Sequence, residues 1–245
     1  MTGQSAYRVR FDWGPTGARA LVADARPGDV AVVVDVLSFT TTLTVALERG
    51  IEVYPFPWAA DDAPAYAERR GAVLACGRRE GLATGAVSLS PASFEGALDV
   101  ARVVLPSPNG SAIAFALADA GVTVVGASLR NASAVGAWLG RATGTVSVVA
   151  AGERWPDGSL RPAVEDLWGA GAVLQALDQA LFSPEAQTAA SAYAGVRDVV
   201  AALLPDSVSG RELVDAGFGR DVELAGAVDV SRVVPVLRDE RFVAG

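Results

Sequence analysis

The 245-residue chain is 51% hydrophobic and 20% charged with a formal net charge of −8, which supplies ample apolar surface for a core and disfavours nucleic-acid binding by phosphate neutralisation. It contains no histidine, so a Ser-His-Asp triad, a His–Cys dyad, a phosphohistidine and any histidine-containing zinc site are excluded. Its one cysteine, Cys76, excludes an internal disulfide framework, and any chemistry falls to carboxylates, hydroxyls, arginine or a bound metal.

No N-terminal apolar leader and no apolar run of about 18 residues is present, so a cytoplasmic protein without a membrane partner is expected. Residues 7–11 read as a first strand and 14–28 include a short helix. Val32, Val33 and Val34 predict a buried strand, because branched Cβ atoms fit a packed pleated surface. That run ends in Asp35, a charge where apolar residues would otherwise continue. Ser38, Thr40, Thr41 and Thr42 follow, then Leu43, Val45, Ala46 and Leu47 on a helix that Gly50 terminates. Residues 51–56 alternate like a strand, 58–70 read as a helix with Pro64 near its start, and 72–75 as a short strand. Residues 76–81 read as a loop, and 82–95 lack periodicity.

The strand-loop-helix pattern then returns, with strands at 101–105, 122–127 and 145–150 and helices at 112–119, 132–139 (opened by Asn131) and 163–180. A loop spans 152–161. The tail is helical over 184–203, with short helical turns at 207–213 and 221–227 and a last strand at 233–237. Strands separated by helices imply parallel pairing with right-handed crossovers, hence an α/β fold of mostly parallel sheet with helices packed on it. No solenoid repeat or low-complexity linker is present, so a body of one or two lobes is expected.

Loops that follow strands in such a sheet gather at its carboxyl edge, where ligands bind. Four of them carry polar groups: Asp35 with Ser38, Thr40, Thr41 and Thr42; Asn109-Gly110-Ser111; Asn131; and Gly152 leading to Glu165-Asp166. Thr42, Ser111 and Asn131 taken singly are ordinary N-caps. Together the loops point to a shared anion pocket of hydroxyls and backbone N–H groups. An aspartate beside an anion needs a cation between them, and Asp35 with Glu165 or Asp166 would form a hard oxygen shell suited to Mg²⁺. The structural alternatives are a turn bonded by Asp35 and two carboxylates placed at a helix start by the dipole. Arg78 and Arg79 stand between glycines and either grip a phosphate or form a solvated turn. Cys76 reads as a small buried residue. GxxxxGK[ST] is absent, no GxGxxG follows a strand, and Leu37 stands where a haloacid-dehalogenase-type site needs a second aspartate.

The ordered motifs VVVDVLSFTTT, GRREG, SPNGS, Asn131-Ala-Ser-Ala-Val and AGE…VEDLWGAGAV, with the tail GRELVDAGFGRDVELAGAVDVSRVVPVL, resemble the 2-phosphosulfolactate phosphatase (ComB-like) family over nearly the whole chain. The resemblance implies a Mg²⁺-dependent phosphatase that converts 2-phospho-3-sulfolactate to 3-sulfolactate and phosphate in coenzyme M biosynthesis. It also implies one ComB-like unit over residues 1–245, with two similar lobes (about 1–100 and 101–245) and the site between them. Asp35, Arg79, Glu165 and Asp166 are the implied catalytic residues, the three carboxylates also holding Mg²⁺. Ser38, Thr40, Thr41, Thr42, Asn109, Gly110, Ser111 and Asn131 would bind a small anionic phosphate ester. A homodimer is compatible with this.

The chain departs from the family pattern at named positions. Ser38 and Phe39 stand where Arg and Ala are usual, and Arg78 stands where Glu is usual, while Arg79 keeps the family's Arg. The stretch Gly85-Ala-Val-Ser-Leu-Ser-Pro91 is shorter than its family counterpart and lacks its Asp. These departures motivate a second hypothesis, a homologue that binds an anionic metabolite without turning it over.

Overall fold

Val30, Val32 and Val34 face one hydrophobic core while Ala31 and Val33 face another, so the strand they form is buried on both sides. Such a strand needs a layer of helices on each face of its sheet. The computed structural model describes residues 3–57, 61–96 and 98–245. In chain order the elements are β1 (Val9–Trp13), α1 (Gly14–Leu21), β2 (Val30–Val34), α2 (Phe39–Glu48), β3 (Glu52–Pro57), α3 (Ala63–Arg70), β4 (Val73–Leu74) and α4 (Arg78–Thr84). There follow β5 (Arg102–Ser107), α5 (Gly110–Leu117), β6 (Thr123–Ala127), α6 (Ala132–Leu139), β7 (Val146–Ala150), β8 (Glu153–Arg154), β9 (Leu160–Arg161) and α7 (Val164–Leu174). The tail adds α8 (Pro184–Ala194), α9 (Val200–Leu203), α10 (Val208–Asp215), α11 (Gly219–Gly226), β10 (Pro235–Arg238) and β11 (Arg241–Ala244).

A nine-stranded sheet runs in the order β1-β7-β2-β6-β10-β11-β3-β5-β4. The strands β1, β7, β2 and β6 are parallel to one another, as are β3, β5 and β4. Between these blocks lies the β10–β11 hairpin, antiparallel within itself, to β6 and to β3. Three successive reversals leave the two parallel blocks running in opposite senses. Ala31, Val33 and Val149 from one block nonetheless share a core with Val53, Val103 and Leu105 from the other, so the sheet curls around that core. The helices α1, α2 and α5 fill it, and α6, α7 and α8 cover the opposite face of the first block. Each valine buried in this way contributes roughly 1.5–3 kcal/mol.

The α/β class and its mostly parallel sheet are as expected from the sequence. The proposed division near residue 100 does not follow the sheet: β1 and β2 pair with β7 and β6, and β5 sits between β3 and β4. Residues 78–84 form α4, across the end of the loop expected at 76–81 and the start of the stretch without periodicity. That helix buries only Gly81 and is bounded by glycines, so it carries no apolar stripe to read. Within the expected loop at 152–161 the short hairpin β8–β9 forms, α7 stops at Leu174 rather than near 180, and β11 follows the strand taken as last. The helix expected over 58–70 is observed from Ala63, with residues 58–60 outside the described residues.

Candidate active site

Asp35 leaves the carboxyl end of β2 and is fixed on every side. Its Oδ1 accepts from Phe39 N at 3.1 Å and its Oδ2 from Gly110 N at 2.7 Å. Thr40 Oγ1 closes the turn behind it, accepting from Asp35 N and donating to Asp35 O. Gly110 is required by this approach: a Cβ there would lie 2.6 Å from both Asp35 Cβ and Oδ2. The loops after β2 and β5 therefore converge on one carboxylate.

The hydroxyls of Thr41, Thr42 and Ser111 are turned to the backbone instead of the cavity. Thr41 Oγ1 donates to Val36 O, Thr42 Oγ1 to Leu89 O, and Ser111 Oγ accepts from Phe56 N and donates to Leu105 O. With Thr40 they are fully buried and serve the backbone, correcting their expected role as phosphate ligands. Hydroxyls offset the low helix propensity of threonine in α2 by satisfying carbonyls at its start. Asn131 is corrected in the same way: its Oδ1 accepts from Ser128 N, and its Nδ2 donates to Val233 O. Gly110 N, meanwhile, is engaged with Asp35 rather than free for a ligand.

Asp166, at the front of α7, accepts from Val36 N at 2.7 Å and from Gly152 N at 2.8 Å. It is a strut between the loops after β2 and β7, each bond falling one residue from a cavity-lining carboxylate. Glu165 is buried beside it and is not among the cavity-lining residues.

A cavity of about 180 Å³ opens where these loops meet, lined by Asp35, Ser38, Arg78, Ser107, Asn109 and Glu153, with Leu37, Leu89 and Pro108. The Leu37–Ser38 peptide in its wall is cis. Asn109 Nδ2 donates to Glu153 Oε2 at 2.8 Å. Both residues also line an adjoining cavity of about 300 Å³ beneath the β8–β9 hairpin, with Trp13, Thr16, Arg154 and Leu160. A larger recess of about 900 Å³ lies away from these loops, lined by Arg8, Arg10 and Arg26 at the amino ends of β1 and β2. There Arg8 and Arg10 hydrogen-bond backbone carbonyls, so the smaller cavity is the better site for an anion.

The chain has no lysine and no histidine, so a fixed side-chain cation at this site has to be an arginine. Arg78 supplies it, its Nη2 donating to Ser38 Oγ at 2.7 Å. Arg79 is exposed on α4 and is not among the residues lining the cavity. Glu153 is the site residue that sequence reasoning passed over, and Arg78, weighed there beside Arg79 as a phosphate grip, takes the place expected of Arg79. The absence of lysine and the Glu of the AGE motif were the available signals.

Burial dominates the electrostatics. It pushes the Glu153 carboxyl up to about 7, the neighbouring Asp35 adding to the shift and the Asn109 hydrogen bond opposing it. Asp35 is raised by burial, against the pull of the Gly110 and Phe39 amides and Arg78. Asp166 is raised well above the ordinary range by burial and then by Asp35 and Glu165. Excess negative charge thus faces a cavity with one guanidinium, an arrangement that accepts a proton or a cation.

The family model described as 2-phosphosulpholactate phosphatase matches residues 18–240. The chain is 33% identical over 224 residues to a probable 2-phosphosulfolactate phosphatase of Deinococcus radiodurans, covering 89% of this chain and 91% of that protein. A protein of the same description from Thermus thermophilus is 33% identical over 218 residues, covering 86% and 88%. Another, from Carboxydothermus hydrogenoformans, is 30% identical over 208 residues, covering 83% and 84%. The chain belongs to the 2-phosphosulpholactate phosphatase family.

Two departures from the 2-phosphosulpholactate phosphatase motifs, Ser38 and Arg78, touch each other across the cavity. A guanidinium is thereby present at the site, carried by α4 instead of the loop after β2. The metal shell expected from Asp35, Glu165 and Asp166 is a different matter. Among the described residues, no group of three or more His, Cys, Asp or Glu is arranged to hold an ion. Asp166 has both oxygens on amides and is not among the residues lining the cavity, which disfavours it as a ligand. Asp35 is bonded to two amides in the same way but faces the cavity, where the second lone pair on each oxygen is open to an ion. Mg²⁺ commonly needs only one or two protein carboxylates, with water and substrate phosphate completing its shell. No helix among the described residues is long and apolar enough to cross a membrane.

Proposed function

We propose that this chain is a phosphoric monoester hydrolase acting on a small acidic phosphate ester, with 2-phosphosulfolactate, named in its relatives' descriptions, as the candidate substrate. The observation that carries this is the meeting of Arg78, Asp35 and Glu153 in one cavity built from the ends of β2, β5 and β7. Arg78 opposes the phosphate charge and Ser38 holds its guanidinium in place. Glu153, protonated up to about pH 7, is the general acid. The phosphoryl group passes to water: a new phosphorus–oxygen bond forms as the ester bond breaks, and the electron pair of the broken bond stays on the leaving oxygen, which takes the Glu153 proton. The attacking water gives up its own proton to solvent, from which Glu153 is reprotonated. Asn109 fixes the acid's orientation, and Asp166 sets the distance between the two carboxylate-bearing loops. Asp35 would hold Mg²⁺, which when bound neutralises charge on the phosphoryl oxygens. The adjoining cavity of about 300 Å³ gives room for the rest of the substrate.

A binding-only role has no structural feature in its favour, since the cavity holds both a cation and an acid. The test is phosphate release from 2-phosphosulfolactate by the purified chain, with and without Mg²⁺, beside R78A and E153Q. Release lost in both variants supports the assignment. Wild-type protein that binds the ester but releases no phosphate in Mg²⁺ rejects it.

A further inference from the structure

We infer that Asp221, on the distant C-terminal helix α11, is the positioning residue that aims the Arg78 guanidinium into the catalytic cavity. This rests on the phosphate-binding role proposed for Arg78. Asp221 is 1% exposed, and its two oxygens are used differently. Oδ1 accepts from Ser90 Oγ and from Ala92 N at 3.3 Å, which anchors the carboxylate to the turn of residues 91–94. Oδ2 accepts no hydrogen bond among the described residues and stands 3.5 Å from Arg78 Nε, itself buried without a hydrogen-bond partner. One oxygen therefore fixes the carboxylate, and the other is left for the guanidinium.

The consequence for Arg78 is directional. Its Nε edge faces Asp221 while Nη2 reaches Ser38, so the planar group is held from two sides. Arg78 also lines a separate cavity of about 290 Å³, with Gly81, Leu82, Phe218, Arg220 and Asp221. It lines both that space and the catalytic cavity. A long, flexible side chain with room on both sides adopts one orientation only if something holds it. Asp221 is the buried anion placed to do so, and it brings the tail of the chain into contact with the site.

A double-mutant cycle tests this on the full chain in Mg²⁺, reading the Kd of inorganic phosphate and the kcat and KM for a phosphate ester in wild type, R78A, D221N and R78A/D221N. D221N is expected to weaken phosphate about tenfold, the size of one misaligned charge-assisted contact, and to cost nothing further in the R78A background. Equal losses in both backgrounds would mean a general structural role and overturn the inference, as would unchanged phosphate affinity in D221N alone. Unchanged affinity in R78A would overturn the phosphate role of Arg78 and the inference with it, so the two failures are distinct. Should D221N not fold, S90A, which releases one anchor of the carboxylate, carries the same comparison. It is expected to give a smaller loss that also vanishes without Arg78, and a loss that persists there overturns the inference.

Discussion

Asn109 Nδ2 and Glu153 Oε2 lie 2.8 Å apart, so a residue from the loop after β5 holds the acid borne by the loop after β7. The bond favours the ionised carboxylate, whereas burial and Asp35 favour the protonated one and prevail.

The pH profile of turnover should show that balance. Activity requiring protonated Glu153 falls as pH rises through about 7. N109A removes the interaction that lowers the Glu153 pKa, so the descending limb should move to higher pH. E153Q should lose at least about 100-fold on an alkyl phosphate and far less on p-nitrophenyl phosphate, whose leaving group needs no proton. Equal losses on the two esters would remove Glu153 as the acid.

Stability should depend on pH with a definite sign. Glu153 rises from an ordinary 4.5 to about 7 on folding, and Asp35, Glu165 and Asp166 are raised as well. The folded chain binds more protons than the unfolded one over that window, so stability is greatest towards 4.5 and declines as pH rises through 7. Without metal, Tm should be higher at pH 5.5 than at pH 8, by about 2–4 °C for each kcal/mol involved. E153Q should flatten part of the slope. A Tm that rises with pH across this range would contradict the placement of these carboxylates.

Asp166→Ala should separate a strut from a metal ligand. Removing the carboxylate leaves the buried amides of Val36 and Gly152 without acceptors, at roughly 1–3 kcal/mol each. Thermal unfolding should show a clear drop in Tm, accompanied by lower kcat because both loops loosen. A variant with wild-type Tm that fails only to bind Mg²⁺ would restore Asp166 to the metal.

Asp35→Asn should act on Mg²⁺ directly. Chelation of the wild type is expected to stop phosphate release and added Mg²⁺ to restore it, whereas D35N should need at least about tenfold more Mg²⁺. An unchanged Mg²⁺ requirement would take Asp35 out of the metal's coordination. G110A, whose Cβ would press on the Asp35 carboxylate, should fold with about 1–3 kcal/mol less stability and reproduce part of the defect.

Legibility divided along the line between pattern and direction. The unbroken valine run of β2 and the charge that ends it located both a strand buried on two faces and the mouth of the site, because an apolar run that stops at an aspartate has few other uses. Which way a hydroxyl points is set by tertiary neighbours: Thr42 bonds Leu89 O and Ser111 bonds Leu105 O, partners 47 and 6 residues away. The same limit left Arg78 and Arg79 undistinguished. The neighbouring Arg79 is chemically identical, and only the formation of α4, which lacks an apolar stripe, turns one inward and the other out. Glu153 was obscured by the β8–β9 hairpin, whose two-residue strands are too short to leave an alternating pattern.

The β10–β11 hairpin is the keystone between two half-sheets, yet it is encoded after both of them. Translation has to pass Phe242 before β6 and β3 lose their raw edges. Phe242 rests edge-on against Phe39, ring centres 6.2 Å apart, and the Phe39 amide is one of the two that hold the Asp35 carboxylate. A nascent chain halted short of that residue would carry every cavity-lining group and still lack the ring that packs against Phe39.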